Sequence, residues 1–243
     1  MIRLDAILWH LRRPRDLPAI VWKNIVLTFS SAGAAARAAT RAGRRWDRAL
    51  GVDTVGLIAG ARLGLAKTGG YGGIPPLIAE HLLAKVIDRT TGFDFLDMGC
   101  GKGRMLLIAA RYPFARVIGV ELNPALYTIA CSNVEKVRKR NTNLAPIEIV
   151  NTDATVYPLP PGPFVLFLYN PFVDDVMTQV ARRLTESMKS NPRKVFIIYF
   201  APAQFSFFDD PLFKKQEVHD LPNDPMDLLA HERFVARIYE TRS

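Results

Sequence analysis

Residues 93–104, with the sequence FDFLDMGCGKGR, constrain the fold of this chain more than any other segment. The apolar run 93–98 predicts a β-strand, and the stretch 103–112 predicts a helix directly after the glycines. Glycine permits a tight turn and a close approach of a ligand, and the start of a helix offers free N–H groups to a carboxylate or a nucleoside. The segment therefore predicts a ligand-binding strand–turn–helix unit of an α/β domain.

The rest of the chain continues this alternation of strands and helices. Helices are predicted at 77–90, 124–140 and 174–189, and strands at 116–122, 147–154, 164–172 and 194–200. Two more strand patterns, 215–221 and 233–241, have no helix pattern between them. We predict an α/β fold with a Rossmann-like, doubly wound sheet, mostly parallel with an antiparallel C-terminal hairpin, plus a helical N-terminal extension.

Acidic residues follow the two strands after the glycine turn, and ligands of such sheets bind beyond the carboxyl ends of the strands. Glu121 ends one strand and can accept hydrogen bonds from both hydroxyls of a ribose; the alternative is a charge that caps the next helix. Asp153 follows the next strand and can accept a hydrogen bond from an adenine amino group; the alternative is a turn-forming aspartate. Both acids are candidates for a nucleoside site.

The spacing of the glycines distinguishes two kinds of nucleotide site. Gly99, Gly101 and Gly103 form G-x-G-x-G, whereas a dinucleotide site needs G-x-G-x-x-G. Asp97 precedes the first glycine by two residues and would repel a pyrophosphate. A sulfonium compound with a free amino group tolerates that carboxylate better.

These motifs resemble those of the class I methyltransferases that use S-adenosylmethionine (SAM). DMGCGKG resembles the first motif of that family, D/E-x-G-x-G-x-G, and the final hairpin resembles its antiparallel seventh strand. The match covers about residues 71–243, and its form is most similar to a bacterial subgroup of undefined substrate and also resembles class I lysine methyltransferases. The resemblance implies SAM as cofactor, bound by Asp97, Gly99, Gly101, Gly103, Glu121 and Asp153.

Candidate residues for the reaction lie after the fourth strand. Asn170, Pro171 and Phe172 resemble the D/N-P-P-Y/F motif of amino-group methyltransferases, but the second proline is missing and the aromatic residue comes one place early. We name these three as the catalytic candidates; the alternative is a turn that ends a strand and buries a phenylalanine. Tyr71 is a candidate wall over the methionine end of the cofactor, or else an aromatic packed within the glycine-rich segment 67–76.

The N-terminal quarter carries most of the positive charge. Residues 1–66 contain 11 Lys and Arg against 4 Asp and Glu, whereas residues 67–243 contain 21 against 19. We predict a basic helical extension over 1–66 and a SAM-dependent methyltransferase domain over 67–243. Residues 1–50 could contact a membrane or another anionic surface, and the alternative is a solvated, arginine-rich helix. Without a legible spanning segment or signal peptide, we expect a cytoplasmic protein.

The predicted activity is methyl transfer to an amine, or another nucleophile, of a protein or small molecule. The alternatives are a nucleic-acid methyltransferase, for which no binding module is legible, and a non-catalytic SAM-binding protein. Methyl transfer needs alignment of nucleophile and methyl group more than a strong base, and the four histidines are scattered. Two distant cysteines form no zinc pattern, so we expect no metal.

Overall fold

The computed structural model describes residues 31–58, 70–172, 174–202, 207–222 and 234–242. Its helices are α1 (Ser31–Leu50), α2 (Pro76–Ala84), α3 (Arg104–Ala109), α4 (Pro124–Arg138) and α5 (Asp174–Ser190), with a 3-10 turn at Ile87–Arg89. Its strands are β1 (Leu57–Ile58), β2 (Tyr71–Gly72), β3 (Asp94–Met98), β4 (Arg116–Glu121), β5 (Ile147–Asn151), β6 (Phe164–Tyr169), β7 (Val195–Pro202), β8 (Phe213–Val218) and β9 (Phe234–Thr241). The predicted helical character of 1–30 and 59–66 lies outside the described residues.

Seven strands form one sheet in the order β5-β4-β3-β6-β7-β9-β8. The pairs from β5 through β7 are parallel, and β9 is antiparallel to both β7 and β8. This topology confirms the predicted Rossmann-like sheet and its antiparallel C-terminal hairpin, with β9 inserted between β7 and the edge strand β8. The order reverses beside β3, so the carboxyl ends of β3, β4 and β6 border the crevice where such sheets bind ligands.

Helices cover the sheet on both faces, and successive side chains of a strand point alternately to one face and to the other. In β6, Val165 and Phe167 pack with α2 and α3 in one cluster, whereas Phe164 and Leu166 pack on the face that α5 covers. Each fully buried phenylalanine contributes about 1.5–3 kcal/mol of hydrophobic stabilisation. The strands next to the crevice are therefore a rigid support for the loops at their ends.

Several elements end earlier than their sequence patterns predict, and local hydrogen bonds or backbone angles explain this. Strand β5 ends at Asn151, whose side chain donates to the carbonyl groups of Glu121 and Leu122 at 2.7 and 3.1 Å. Strand β6 ends at Tyr169 because Asn170 adopts a positive φ of 40°, which no strand residue has. Asn170 therefore directly follows β6, and Asp153 lies two residues beyond the end of β5.

The N-terminal segment packs against the sheet domain. Trp46, Leu50 and Val52 lie against the cluster that contains α2 and α3, and β1 pairs with β2 in a small antiparallel sheet. These contacts cross the boundary predicted at residues 66 and 67, and that boundary stays a prediction. Within the described residues, no helix combines the length and the apolar character needed to cross a bilayer.

Candidate functional site

The glycine loop, defined here as residues 97–103, joins β3 to α3 and is tied to the end of β4. The backbone N–H groups of Gly99 and Cys100 donate to the Val120 carbonyl at 2.8 and 3.0 Å. The N–H of Gly101 donates to the Glu121 carboxylate at 2.8 Å. Gly103 has a φ of 82°, so helix α3 can begin only at the next residue. The predicted strand–turn–helix unit is therefore present, and it is braced by its neighbour.

Two buried carboxylates lie beside the glycine loop. Asp97 and Glu121 are 4% and 5% exposed, and burial raises the pKa of each. The charge of Glu121 raises the pKa of Asp97 further, whereas hydrogen bonds from backbone N–H groups, including that of Asn123 at 2.8 Å, act against the rise at Glu121. The cap of α4 is the Asn123 side chain, which accepts from two N–H groups of the first turn. Glu121 is thus not the residue that caps the helix directly.

The loop lies between two of the predicted site segments. A Cβ added to Gly99 would stand 2.8 Å from Cβ of Pro171, and one added to Gly101 would stand 2.3 Å from Cε2 of Tyr71. Both distances are too short for any side chain at these positions. The structure therefore brings together Tyr71, the glycine loop and the turn after β6, and it requires glycine at the two contacts.

The turn after β6 has an unusual backbone. Asn170 is the one non-glycine residue with a positive φ among the residues that the structure describes. Left-handed backbone costs most residues about 1–2 kcal/mol and asparagine less, and such geometry concentrates at functional sites. Phe172 is half-buried against the cluster on the α5 face. The half-buried ring agrees with the structural alternative for Phe172, and the catalytic role of the turn stays a prediction.

Asp153 differs from the other two acids because it is exposed. Its carboxylate accepts hydrogen bonds from the N–H and the hydroxyl of Thr155 at 2.7 and 2.8 Å. This is the turn-forming geometry that the sequence left open as an alternative. Asp153 still follows β5, the neighbour of β4, and a further hydrogen bond from an adenine amino group to its carboxylate stays a prediction.

Tyr71 is buried, and both its hydroxyl and its backbone are bound to residues 54–58. Its hydroxyl donates to the Thr54 carbonyl at 2.6 Å, and its strand pairs with Leu57–Ile58. Lys102 places its ammonium 5.6 Å from the centre of the Tyr71 ring. Burial raises the pKa of the Tyr71 hydroxyl, although the nearby Arg104 opposes the rise. The hydroxyl therefore stays neutral and remains a hydrogen-bond donor near neutral pH.

A set of polar residues around this tyrosine was not among the predicted site residues. Asp47, Thr54, Lys102, Arg104 and Asn133 are all buried and bind one another or the segment 53–55. The sequence does indicate such a set through Lys102 and Arg104, two cations at the start of an apolar helix. Cations that become buried need anionic partners. The sequence offers no way to identify the partners, which lie about fifty residues earlier. Among the described residues, no cluster of three or more His, Cys, Asp or Glu could hold a metal ion.

Comparison with known proteins agrees with this geometry. Residues 95–191 match the family described as methyltransferase domain, a range that includes the glycine loop, both buried acids and the turn after β6. Residues 95–191 therefore form a methyltransferase domain. The mostly parallel seven-stranded sheet with its antiparallel hairpin is the fold that the sequence motifs predicted for this family.

Individual relatives are distant. The structure of yhhF from Escherichia coli, assigned as a methyltransferase, is similar with a TM-score of 0.50 at 15% identity, over 68% of this chain and 85% of that one. A protein from Haemophilus influenzae assigned as a methylase has a TM-score of 0.48 at 15% identity, over 68% and 97%. The first of these likenesses supports the fold.

One curated sequence is similar over a short range. Over 74 residues the chain is 36% identical to histone-lysine N-methyltransferase, H3 lysine-79 specific, from Dictyostelium discoideum. The match covers 30% of this chain and only 4% of that relative. The similarity accords with the predicted resemblance to class I lysine methyltransferases, and it does not identify the acceptor.

Proposed function

We propose that this methyltransferase uses SAM and transfers the methyl group to an amine of a protein or small molecule. The observation that carries the choice of cofactor is the pair of buried carboxylates beside the glycine loop, Asp97 and Glu121. Burial raises the pKa of both, so a cationic ligand would stabilise their ionised forms. A sulfonium with a free amino group supplies that positive charge, whereas a pyrophosphate would add negative charge beside two acids.

The residues at the crevice fit such a ligand. Glycine is required at positions 99 and 101, where the loop backbone is close to other residues and can also lie close to a ligand. Glu121 would hold the ribose hydroxyls, Asp153 the adenine amino group, and Tyr71 would cover the methionine end. When bound, SAM supplies an activated methyl group. The protein then has to bind it, exclude water and orient the acceptor.

The proposed acceptor site is the turn after β6. The Asn170 side chain offers one hydrogen-bond acceptor and two donors, which suits the positioning of a neutral amine. The carbonyl of Pro171 could accept a hydrogen bond from the same nitrogen, and the half-buried ring of Phe172 could exclude water. An amine can lose its proton to solvent after methylation, so this site needs no dedicated strong base.

The direct test is calorimetric titration of the full chain with SAM, S-adenosylhomocysteine and NAD. We expect both SAM compounds to bind and NAD not to bind; binding of NAD alone would refute the proposal. Incubation with methyl-labelled SAM and a cell lysate, followed by separation of the products, then identifies the acceptor class. Label in protein or small molecules supports the proposed class of acceptor, label in nucleic acid supports the first alternative, and binding without turnover supports the second.

We also propose that α1 contacts an anionic membrane surface from the cytoplasmic side. Its described arginines, Arg41, Arg44, Arg45 and Arg48, are all exposed, and exposed Arg140 joins them by donating to the Leu50 carbonyl at 2.7 Å. The two cysteines are free, as in a reducing compartment. The full chain should co-sediment with vesicles containing phosphatidylglycerol but not with pure phosphatidylcholine. The triple change of Arg44, Arg45 and Arg48 to Ala should abolish this, and Arg182→Ala on α5 is the matched control.

A further inference from the structure

We infer that Arg104 is a positioning residue that holds Tyr71 against the glycine loop, through a clasp formed by residues 47–56 and 70–74. The inference rests on the proposed function, because it assumes that the glycine loop holds the cofactor. Residues 47–56 and 70–74, which precede the matched family domain, are then part of the cofactor site, and Arg104 attaches them to it.

Arg104 joins both parts of the clasp to the start of α3. Its Nε donates to the Thr54 hydroxyl at 2.7 Å, and Nη1 donates to the carbonyl groups of Ile74 and Gly73 at 2.9 and 3.2 Å. Its Nη2 lies 3.7 Å from the Asp47 carboxylate. The side chain is 5% exposed, and removing a guanidinium from water is costly. A buried arginine is therefore expected where its contacts with residues 47, 54 and 73–74 are needed.

Asp47 and Thr54 connect Arg104 to Tyr71. The Asp47 carboxylate accepts the N–H groups of Thr54 and Val55 at 2.7 and 2.8 Å, and it also accepts the Thr54 hydroxyl. This fixes the peptide after Thr54, whose carbonyl accepts the Tyr71 hydroxyl at 2.6 Å. Arg104 therefore acts on Tyr71 from two sides, through Thr54 and through the Gly73 carbonyl two residues beyond the tyrosine.

The space around the guanidinium is closed. A Cβ on Gly73 would stand 2.8 Å from both Nη1 of Arg104 and the Thr54 carbonyl oxygen. The ring of Tyr71, in turn, fills the position of a Cβ on Gly101. A change in the position of Thr54 or Gly73 would consequently move the ring relative to the glycine loop.

A second attachment holds the same clasp to the loop and to α4. Lys102 donates to the Asp53 carboxylate at 2.8 Å and to the Val55 carbonyl at 3.0 Å. Asn133 accepts the N–H of Asp53 at 2.9 Å and donates to the carbonyl groups of Asp53 and Lys102 at 2.7 and 3.0 Å. Residues 53–55 are thus held on both sides. This attachment should keep the segment in place when Arg104 is replaced, so a variant of Arg104 tests positioning rather than folding.

The test is a double-mutant cycle of Arg104 and Tyr71 on the full chain, with S-adenosylhomocysteine affinity measured by calorimetry. Lysine cannot reach three acceptors at once, so Arg104→Lys should weaken binding roughly tenfold to a hundredfold in the wild-type background. In a Tyr71→Ala background the same change should weaken binding less than about twofold, because the ring that Arg104 positions is gone. Arg116→Lys, at a half-buried arginine paired with Asp94 at 2.8 Å, is the matched control and should leave affinity unchanged.

Thr54 provides a second route to the same result if Arg104→Lys lowers stability. Thr54→Val removes the hydroxyl that binds both Asp47 and Arg104 and should reproduce the loss of affinity, whereas Thr54→Ser should restore it. Equal effects of Arg104→Lys with and without the Tyr71 ring would overturn the positioning role. Failure of the wild-type protein to bind S-adenosylhomocysteine would instead overturn the proposed function, so the two failures are distinguishable.

Discussion

The two ends of the proposed cofactor site differ in how far the protein itself holds their geometry. At the glycine-loop end, Asp97 and Glu121 are buried, and the loop is bound by β4, Tyr71 and the turn after β6. At the other end, Asp153 is exposed, and its carboxylate forms a turn with Thr155. A buried, charged and preorganised end contributes more to affinity than an exposed one and also costs more stability before the ligand binds.

The largest effect is expected from Gly101→Val. A Cβ at this position would stand 2.3 Å from the Tyr71 ring, and the backbone φ of 55° is unfavourable for a β-branched residue. We expect loss of SAM binding of more than about a hundredfold, which corresponds to at least 2.7 kcal/mol. Calorimetry with S-adenosylhomocysteine measures the effect.

Gly162→Ala is the control for this change, because a Cβ at that glycine meets no atom within 4 Å. Its affinity should equal that of the wild type. Retention of wild-type affinity by Gly101→Val would show that the cofactor does not lie against this loop.

Asp97→Asn should separate affinity from stability. SAM affinity should fall by roughly tenfold to a hundredfold, as expected for the loss of an interaction with a charged group. Because burial and the charge of Glu121 raise the pKa of Asp97, the ionised carboxylate destabilises the unligated fold at neutral pH. The unligated variant should therefore melt at a higher temperature, by about 2–4 °C for each kcal/mol gained. Thermal melting with and without ligand measures both effects.

The pH dependence of this difference follows from the same shift. An acid whose pKa is raised in the folded state binds its proton more tightly there than in the unfolded chain. The folding stability that it costs therefore grows as pH rises from the unfolded pKa through the folded one. The stability advantage of Asp97→Asn should accordingly vanish near pH 4 and below, and SAM affinity of the wild type should fall as pH is lowered through the raised pKa. Asp94→Asn, at the other end of β3, should leave SAM affinity and its pH dependence unchanged. A variant less stable than the wild type at pH 7 would contradict this account.

An effect of similar size, but confined to turnover, is expected at Asn170. Removal of one well-placed hydrogen bond to the acceptor should slow methyl transfer about tenfold to a hundredfold and leave S-adenosylhomocysteine affinity unchanged. The change Asn170→Ala removes this hydrogen bond but adds backbone strain, because alanine is unfavourable at a φ of 40°. Asn170→Gly removes the amide without that strain and is the matched variant. Both variants should lose turnover to a similar extent with the identified acceptor. Wild-type turnover in Asn170→Gly would assign Asn170 to the turn alone.

The smallest effect is expected at Asp153. Because the carboxylate is exposed and already bound within its turn, Asp153→Ala should weaken SAM affinity by no more than about tenfold. Thr155→Val removes only the hydroxyl that donates to Asp153 and should leave the affinity at its wild-type value. If Asp153→Ala were as damaging as Asp97→Asn in calorimetry, the contrast between the two ends would be wrong.

Much of the fold was predictable from the sequence because its signals are local. Alternating apolar strands and helices predicted the parallel sheet, and the absence of a helix pattern between 215–221 and 233–241 predicted the antiparallel hairpin. The glycines and the strand-end acids were predicted for the same reason, since their roles depend on positions a few residues from a strand end. The exact ends of β5 and β6 were not predictable, because side-chain hydrogen bonds of Asn151 and the backbone of Asn170 set them.

By itself, the sequence determined the family, the sheet and the candidate residues at its carboxyl edge, because propensity and periodicity act over short distances. Only the tertiary structure decided that Asp153 is exposed, that Glu121 binds the glycine loop, and that Tyr71 lies against Gly101. It also decided the partners of Arg104, because Asp47 and Thr54 lie 57 and 50 residues earlier and carry no motif. A buried cation indicates that a partner exists, but only the packing of α1 on the sheet domain determines which residue it is.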